Sequence, residues 1–273
     1  MTRLPTYAIS HGGGPWPWAK ESLPVDWTAL ETALAAIPGE LPEAPTAVLM
    51  VTAHWETSGF RVQMAEQPGM IYDYGGFPPH TYEIQYPAPG HPAVAERVAG
   101  LLGAAGLPVG RDPQRGFDHG TFVPAYAIYP DADVPIVQLS IDRSYDPAIH
   151  LAAGRALAPL RDEGVLIIGS GLPSFHDLSS FGPAAAAPSA AFDAWLGETL
   201  IGRVGAERAA GLEGWADAPS ARRCHPREDH LVPLFVAAGA AEDEPAVRHY
   251  HETNFFGGAT SSGFRFGDAA VAA

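Results

Sequence analysis

The sequence predicts an α/β fold: a mixed central sheet with helices on both faces, in a single domain spanning residues 1–273. Three observations predict it. First, three short apolar runs, Thr6-Tyr7-Ala8-Ile9-Ser10, Ala47-Val48-Leu49-Met50-Val51 and Gly164-Val165-Leu166-Ile167-Ile168, read as strands covered on both faces, as in a parallel sheet. Second, segments of helical period alternate with these runs along the chain. Third, a polar, glycine-bearing cluster with a histidine follows each run: His11 with Gly12-Gly13-Gly14, His54 within Thr52-Ala53-His54-Trp55-Glu56-Thr57, and His176 after Gly169-Ser170-Gly171. Parallel strands would gather these three histidines at one carboxyl edge, where open α/β sheets place ligands.

In order, the loop after His11 carries Trp16 and Trp18, which suggest an apolar wall. Residues 27–37 have helical period through Trp27, Leu30, Leu34 and Ile37, and 62–64 form a short strand. Residues 71–90 form an aromatic, proline-rich loop with Tyr72, Tyr74, Phe77, Tyr82 and Tyr86; a loop this long is usually functional, here as a lid or wall for a flat substrate. Residues 91–105 read as a helix, with Pro92 in its first turn and Gly106 beyond its end. A strand over 135–141 and a helix over 147–160 follow. The alanine-rich stretch 184–210 is helical from Pro188 onward, and 231–238 form a helix stopped by Gly239. Residues 250–266 add edge strands, and no internal repeat occurs.

With 47% hydrophobic residues the chain can bury a sizeable core. The net charge of -15 disfavours a nucleic-acid surface and an anionic membrane. No run of 18 apolar residues occurs. The amino terminus lacks a signal-peptide pattern. The single cysteine, Cys224, cannot form a disulfide within the chain or build a cysteine-rich zinc site, so a cytoplasmic location is expected.

Of 11 histidines, His11, His54, His119, His176 and His230 sit at element ends or in glycine-bearing loops, whereas His80, His91, His150 and His249 fit structural roles. Neutral imidazole is the commonest metal ligand, and its pKa lies nearest neutrality. Three imidazoles, or two with a carboxylate, leave open positions on a divalent metal. Glu56, Asp118, Asp177, Glu228 and Asp229 lie near the histidines in sequence. Asp118 and Asp229, each directly before a histidine, better suit orientation of an imidazole than metal ligation. His11-Gly12-Gly13-Gly14 is like an esterase oxyanion loop, but no Gly-x-Ser-x-Gly elbow accompanies it. Gly169-Ser170-Gly171 is too short for a dinucleotide fingerprint.

Taken together, several pieces resemble the class III extradiol ring-cleaving dioxygenases, the LigB-like superfamily, and within it the DOPA 4,5-dioxygenase type. They are Ser10-His11-Gly12, Thr52 to Thr57, Tyr72-Asp73 through Tyr86-Pro87-Ala88-Pro89-Gly90, Phe117-Asp118-His119-Gly120-Thr121, Pro135 to Ser140, Gly169-Ser170-Gly171 to His176-Asp177-Leu178, and His225-Pro226 to His230 with Leu234 and Gly239. They occur in family order over about residues 7–266. Two departures touch the pocket. The Gly171-to-His176 loop is one residue longer than the subgroup's, and Gly-Gly-Gly-Pro-Trp-Pro-Trp replaces its serine-proline-methionine form after His11.

The resemblance implies a non-haem Fe(II) site held by His11, His54 and His230, an all-histidine set that also suits Zn(II). It implies a catecholic substrate, DOPA-like or related, opened by dioxygen to a muconic semialdehyde. His176 and His119 match the family's acid–base and oxygen-side histidines, and His225 is a supporting candidate. Trp16, Trp18, Tyr74 and Phe77 would clamp the ring, and Arg223 or Arg227 would either pair with a substrate carboxylate or be solvated surface charges. The expected partners are a small aromatic diol and dioxygen, with neither nucleic acid nor membrane. The alanine-rich helix or the aromatic tail could support a homo-oligomer. The rival classes are a zinc hydrolase using Glu56 or Glu228 as general base, and a non-catalytic binding member of the superfamily.

Overall fold

The structure, a computed structural model, describes residues 2–268. Along the chain run β1 (Thr6–Ser10), α1 (Thr28–Glu40), β2 (Ala47–Thr57), β3 (Phe60–Gln63), α2 (Pro92–Ala104), β4 (Val109–Asp112) and α3 (His119–Ile128). These are followed by β5 (Ile136–Asp142), α4 (Pro147–Leu157), β6 (Val165–Gly171), α5 (Ala186–Leu200), α6 (Gly205–Glu213), α7 (Ala221–Cys224), α8 (Val232–Gly239), β7 (Ala246–Phe255) and β8 (Ala259–Phe266). The strands form one sheet in the order β4-β3-β5-β2-β6-β1-β8-β7. Its centre, β5-β2-β6-β1, is parallel, and antiparallel pairings of β3 with β5 and of β8 with β1 make the sheet mixed. The apolar runs of β1, β2 and β6 are buried throughout; α8 packs on all three, and α3 packs on β2 and β6.

Gly169 and Gly171 let α8 and the turn before it lie directly on β6. A Cβ at Gly169 would come within 2.2 Å of the Pro233 carbonyl oxygen, and one at Gly171 within 2.2 Å of the His230 carbonyl oxygen. Ser170 points to the opposite face, where its hydroxyl bonds the Gly120 carbonyl. The Gly-Ser-Gly triplet thus sets helix position by alternation along a strand.

Four local expectations change. β2 does not end before the Thr52–Thr57 motif but runs through it, with a register irregularity between Val51 and Glu56. Bulges of this kind re-aim side chains at strand ends. The helix expected over 188–210 is two, α5 and α6, broken between Leu200 and Gly205. The helix over 147–160 passes into a 3-10 turn, Ala158–Glu163, with Pro159 in its first turn. α3 was not predicted. Eight of its ten residues are buried and Pro124 lies inside it, so it offers no polar face for helical periodicity to reveal. The 250–266 segment forms the hairpin of β7 and β8, with β7 at the sheet edge.

Candidate metal centre and active site

His11 follows β1, His54 lies in the irregular part of β2, and His230 stands just before α8. His54 Nε2 lies 3.3 Å from His11 Nε2 and 3.2 Å from His230 Nε2. Two imidazoles bound to one ion at about 2.0–2.1 Å have nitrogens ~2.8–3.4 Å apart for angles between right and tetrahedral. The spacing therefore fits a shared divalent ion.

The other ring nitrogens are occupied. His230 Nδ1 lies 2.9 Å from Asp229 Oδ2, His11 Nδ1 lies 3.2 Å from Ser170 Oγ, and His54 Nδ1 lies 3.3 Å from Asp73 Oδ2. Such contacts place the proton on Nδ1 and leave the Nε2 lone pair facing the site. Burial, reinforced by the neighbouring imidazoles, holds His11 and His230 well below the usual histidine range, and burial lowers His54 to about 3. Neutral imidazoles are the form that binds metal.

His119 and His176 flank this group. The His119 ring centroid is 3.9 Å from that of His54, and its Nδ1 lies 2.8 Å from Asp73 Oδ1, which also accepts from the His119 backbone N–H. His176 stacks on His230 with centroids 3.4 Å apart. Burial lowers the His176 pKa, against the opposing pull of Asp229. Sequence reasoning missed Asp73, whose carboxylate contacts both His54 and His119. Burial by itself would raise its pKa, but the hydrogen bond from His119 and the two imidazoles bring it to about 2. Its one sequence signal was its place in the Tyr72-Asp73 piece.

These side chains form the floor of a cavity of about 250 Å³. A cavity of roughly 150 Å³ already admits benzene. Tyr74 and Phe77 line one wall, as expected from the 71–90 loop.

Other candidates lie outside the cavity lining. Trp16 is fully buried beneath the glycine loop, stacked on Trp27, and its indole N–H donates to the His11 carbonyl at 3.0 Å. It supports the His11 backbone and does not clamp a ring in the cavity. Trp18 packs on Tyr126 of α3. Asp118 does not orient the His119 ring. It accepts from Thr52 Oγ1 at 2.8 Å and from Arg115 at 2.6 Å, and Arg115 also reaches the His54 carbonyl, so Asp118 braces the β2 irregularity. Asp229 does orient its neighbouring histidine. Glu56 is bonded by Tyr145 and Arg227, and Glu228 by Arg222. Neither glutamate lines the cavity, which leaves the zinc-hydrolase reading without its general base. Arg223 is exposed and also outside the lining.

His225 is fully buried behind the 172–176 loop, with Nε2 3.0 Å from the Pro173 carbonyl oxygen, and burial lowers its pKa to about 3. In the unfolded chain it titrates near ~6.5. Below that pH the unfolded state gains a proton that the folded state refuses, so this contribution to stability is complete above ~6.5 and falls as pH drops toward the folded value. In chelator, the urea midpoint should decline from pH 6.5 to 4.5, and less steeply in His225→Phe. Equal slopes would refute the assignment.

The chain belongs to the family described as the catalytic LigB subunit of aromatic ring-opening dioxygenase, whose model matches residues 27–266. It is 42% identical over 268 residues to the dioxygenase tasH of Hapsidospora irregularis, covering 92% of this chain and 82% of that protein. It is 41% identical over 213 residues to a 4,5-DOPA dioxygenase extradiol of Beta vulgaris, covering 77% of this chain and 78% of the relative. The crystal structure of an uncharacterized protein from Escherichia coli K12 superposes with a TM-score of 0.78 at 30% identity, over 97% of this chain and 100% of that one. The protein is thus an oxidoreductase, an extradiol aromatic ring-opening dioxygenase. The family implies a non-haem metal, an aromatic substrate and dioxygen. Among the described residues no helix is long and apolar enough to cross a membrane.

Proposed function

We propose that the protein opens a catecholic ring, DOPA-like or related, to a muconic semialdehyde, with Fe(II) held by His11, His54 and His230. The observation that carries this is the convergence of three Nε2 atoms on the floor of an aromatic-walled cavity. Fe(II), when bound, supplies the electronic path between the diol and dioxygen. Zn(II) fits the same three nitrogens and would give inactive protein.

The remaining roles fall to the chain's own groups. His176, neutral through burial, takes the proton that the diol must lose. His119, held by Asp73, faces the cavity from the other side of His54 and serves the oxygen side. Tyr74 and Phe77 flank the ring, and the apolar lining excludes water. We further place the whole reaction in one catalytic domain, 1–273, in the cytoplasm, acting on a small diol and dioxygen without nucleic acid or membrane; a homo-oligomer is compatible with this reading.

Anaerobic loading with Fe(II), then admission of air with a catechol, should give a yellow product and one dioxygen consumed per ring; Zn(II)-loaded protein should give neither. An iron-loaded sample that consumes no oxygen with any catechol would refute the reading.

Two substitutions probe the supporting groups. Asp73→Asn presents an amide N–H to the His54 Nδ1–H while keeping an acceptor for His119. Turnover should fall about 10–100-fold. Unchanged kcat would remove Asp73 from the site. Gly171→Ala forces its Cβ against the His230 carbonyl and displaces the ligand. Chelator competition should show metal affinity lowered about 10–100-fold in a folded protein.

A further inference from the structure

The cavity mouth differs in chemistry from its floor. No lysine or arginine lines the cavity among the described residues, and its one carboxylate is Asp73. The arginines nearby face acidic groups already: Arg115, which reaches the His54 carbonyl, pairs with Asp118, and Arg227 bonds Glu56 and lies 4.0 Å from Asp229. The rim is instead built of Phe77, Leu178, Phe181 and Phe256. Leu178 is 73% exposed and joins Phe181 and Phe256 in one apolar group at the cavity. The Phe181 and Phe256 rings lie 4.6 Å apart. Phe256 holds φ 49°, a left-handed conformation that costs a non-glycine residue energy. Gly257 follows at φ 78°, so the two are the central residues of the β7–β8 hairpin turn, and that turn presents the Phe256 ring to the cavity.

The glycines after His11 belong to the same construction. A Cβ at Gly13 would meet the Phe256 ring at 2.8 Å, and one at Gly14, with φ +53°, would meet the Phe77 ring at 2.4 Å. This loop, where the sequence departs from the subgroup pattern, makes room for two aromatic rings. We infer that the preferred substrate is a catechol carrying an uncharged, apolar substituent, which points away from the histidines and lies between Phe77 and the Leu178–Phe181–Phe256 rim. The inference rests on the ring-opening reading above and, within its catechols, favours apolar substituents over the charged amino-acid side chain of DOPA itself. An anionic substituent would lose hydration at this rim with no cation to receive it.

The test compares kcat/KM of the Fe(II)-loaded protein for catechols carrying methyl, propyl and propionate groups at the same ring position. Each added methylene should raise kcat/KM about fourfold, and propyl should exceed propionate at least ~tenfold. Leu178→Lys, at an exposed position, should reverse the propyl-to-propionate preference. Phe256→Ala should lower the propyl-to-methyl ratio while bound iron stays at the parent level, a substrate-dependent change that a purely structural Phe256 would not give. Propionate equal to or better than propyl would overturn this inference alone. Turnover of none of the three would overturn the ring-opening reading, and this inference with it.

Discussion

His176→Ala leaves bound metal at the parent level and lowers kcat about a hundred- to ten-thousand-fold, the usual range for a lost general acid–base group. The expectation follows from where the imidazole sits. It stacks on His230 but stands outside the three-nitrogen convergence, so its removal takes no ligand away. Its largest perturbation is burial, which favours the neutral form able to accept a proton from a diol. Substrate affinity should change far less than kcat. Loss of metal together with activity would mean that His176 is a ligand, a possibility the His176, Asp229 and His230 cluster makes concrete.

His54→Ala removes the nitrogen that stands between the other two. On the order of 3 kcal/mol per ligand is lost when the free energy of a structural metal site is divided among its ligands, so affinity should fall a hundred- to thousand-fold. After dialysis against chelator, elemental analysis should find the parent loaded and the variant empty, with activity lost in parallel. The substitution also releases Asp73 from one of its two imidazoles. Parent-level metal in this variant would exclude His54 as a ligand.

The parallel core was legible because β1, β2 and β6 are buried on both faces and so read as unbroken apolar runs. Parallel pairing then carried His11 and His54 to one edge, and their meeting needed no further information. Three features lay beyond such reasoning. Asp73 comes from a long loop whose return to His119 rests on contacts distant in sequence. Trp16 was placed in the wall because nothing in a glycine- and proline-rich loop indicates which aromatic turns inward; in the fold it supports the loop from below. Asp118 precedes His119, yet its carboxylate faces Thr52 and Arg115, since α3 begins at His119 and divides the two side chains. Adjacency in sequence served for Asp229 and failed for Asp118, and the difference lies in where each helix starts.

The most direct test of the central claim is to run the Fe(II)-loaded protein with a propyl-substituted catechol under isotopically labelled dioxygen and to weigh the product by mass spectrometry. Ring opening at the three-histidine site predicts a semialdehyde carrying both atoms of one dioxygen, apart from any aldehyde oxygen later exchanged with water. A product with both oxygens drawn from water, or a ring left intact with this and every other catechol offered, would contradict it.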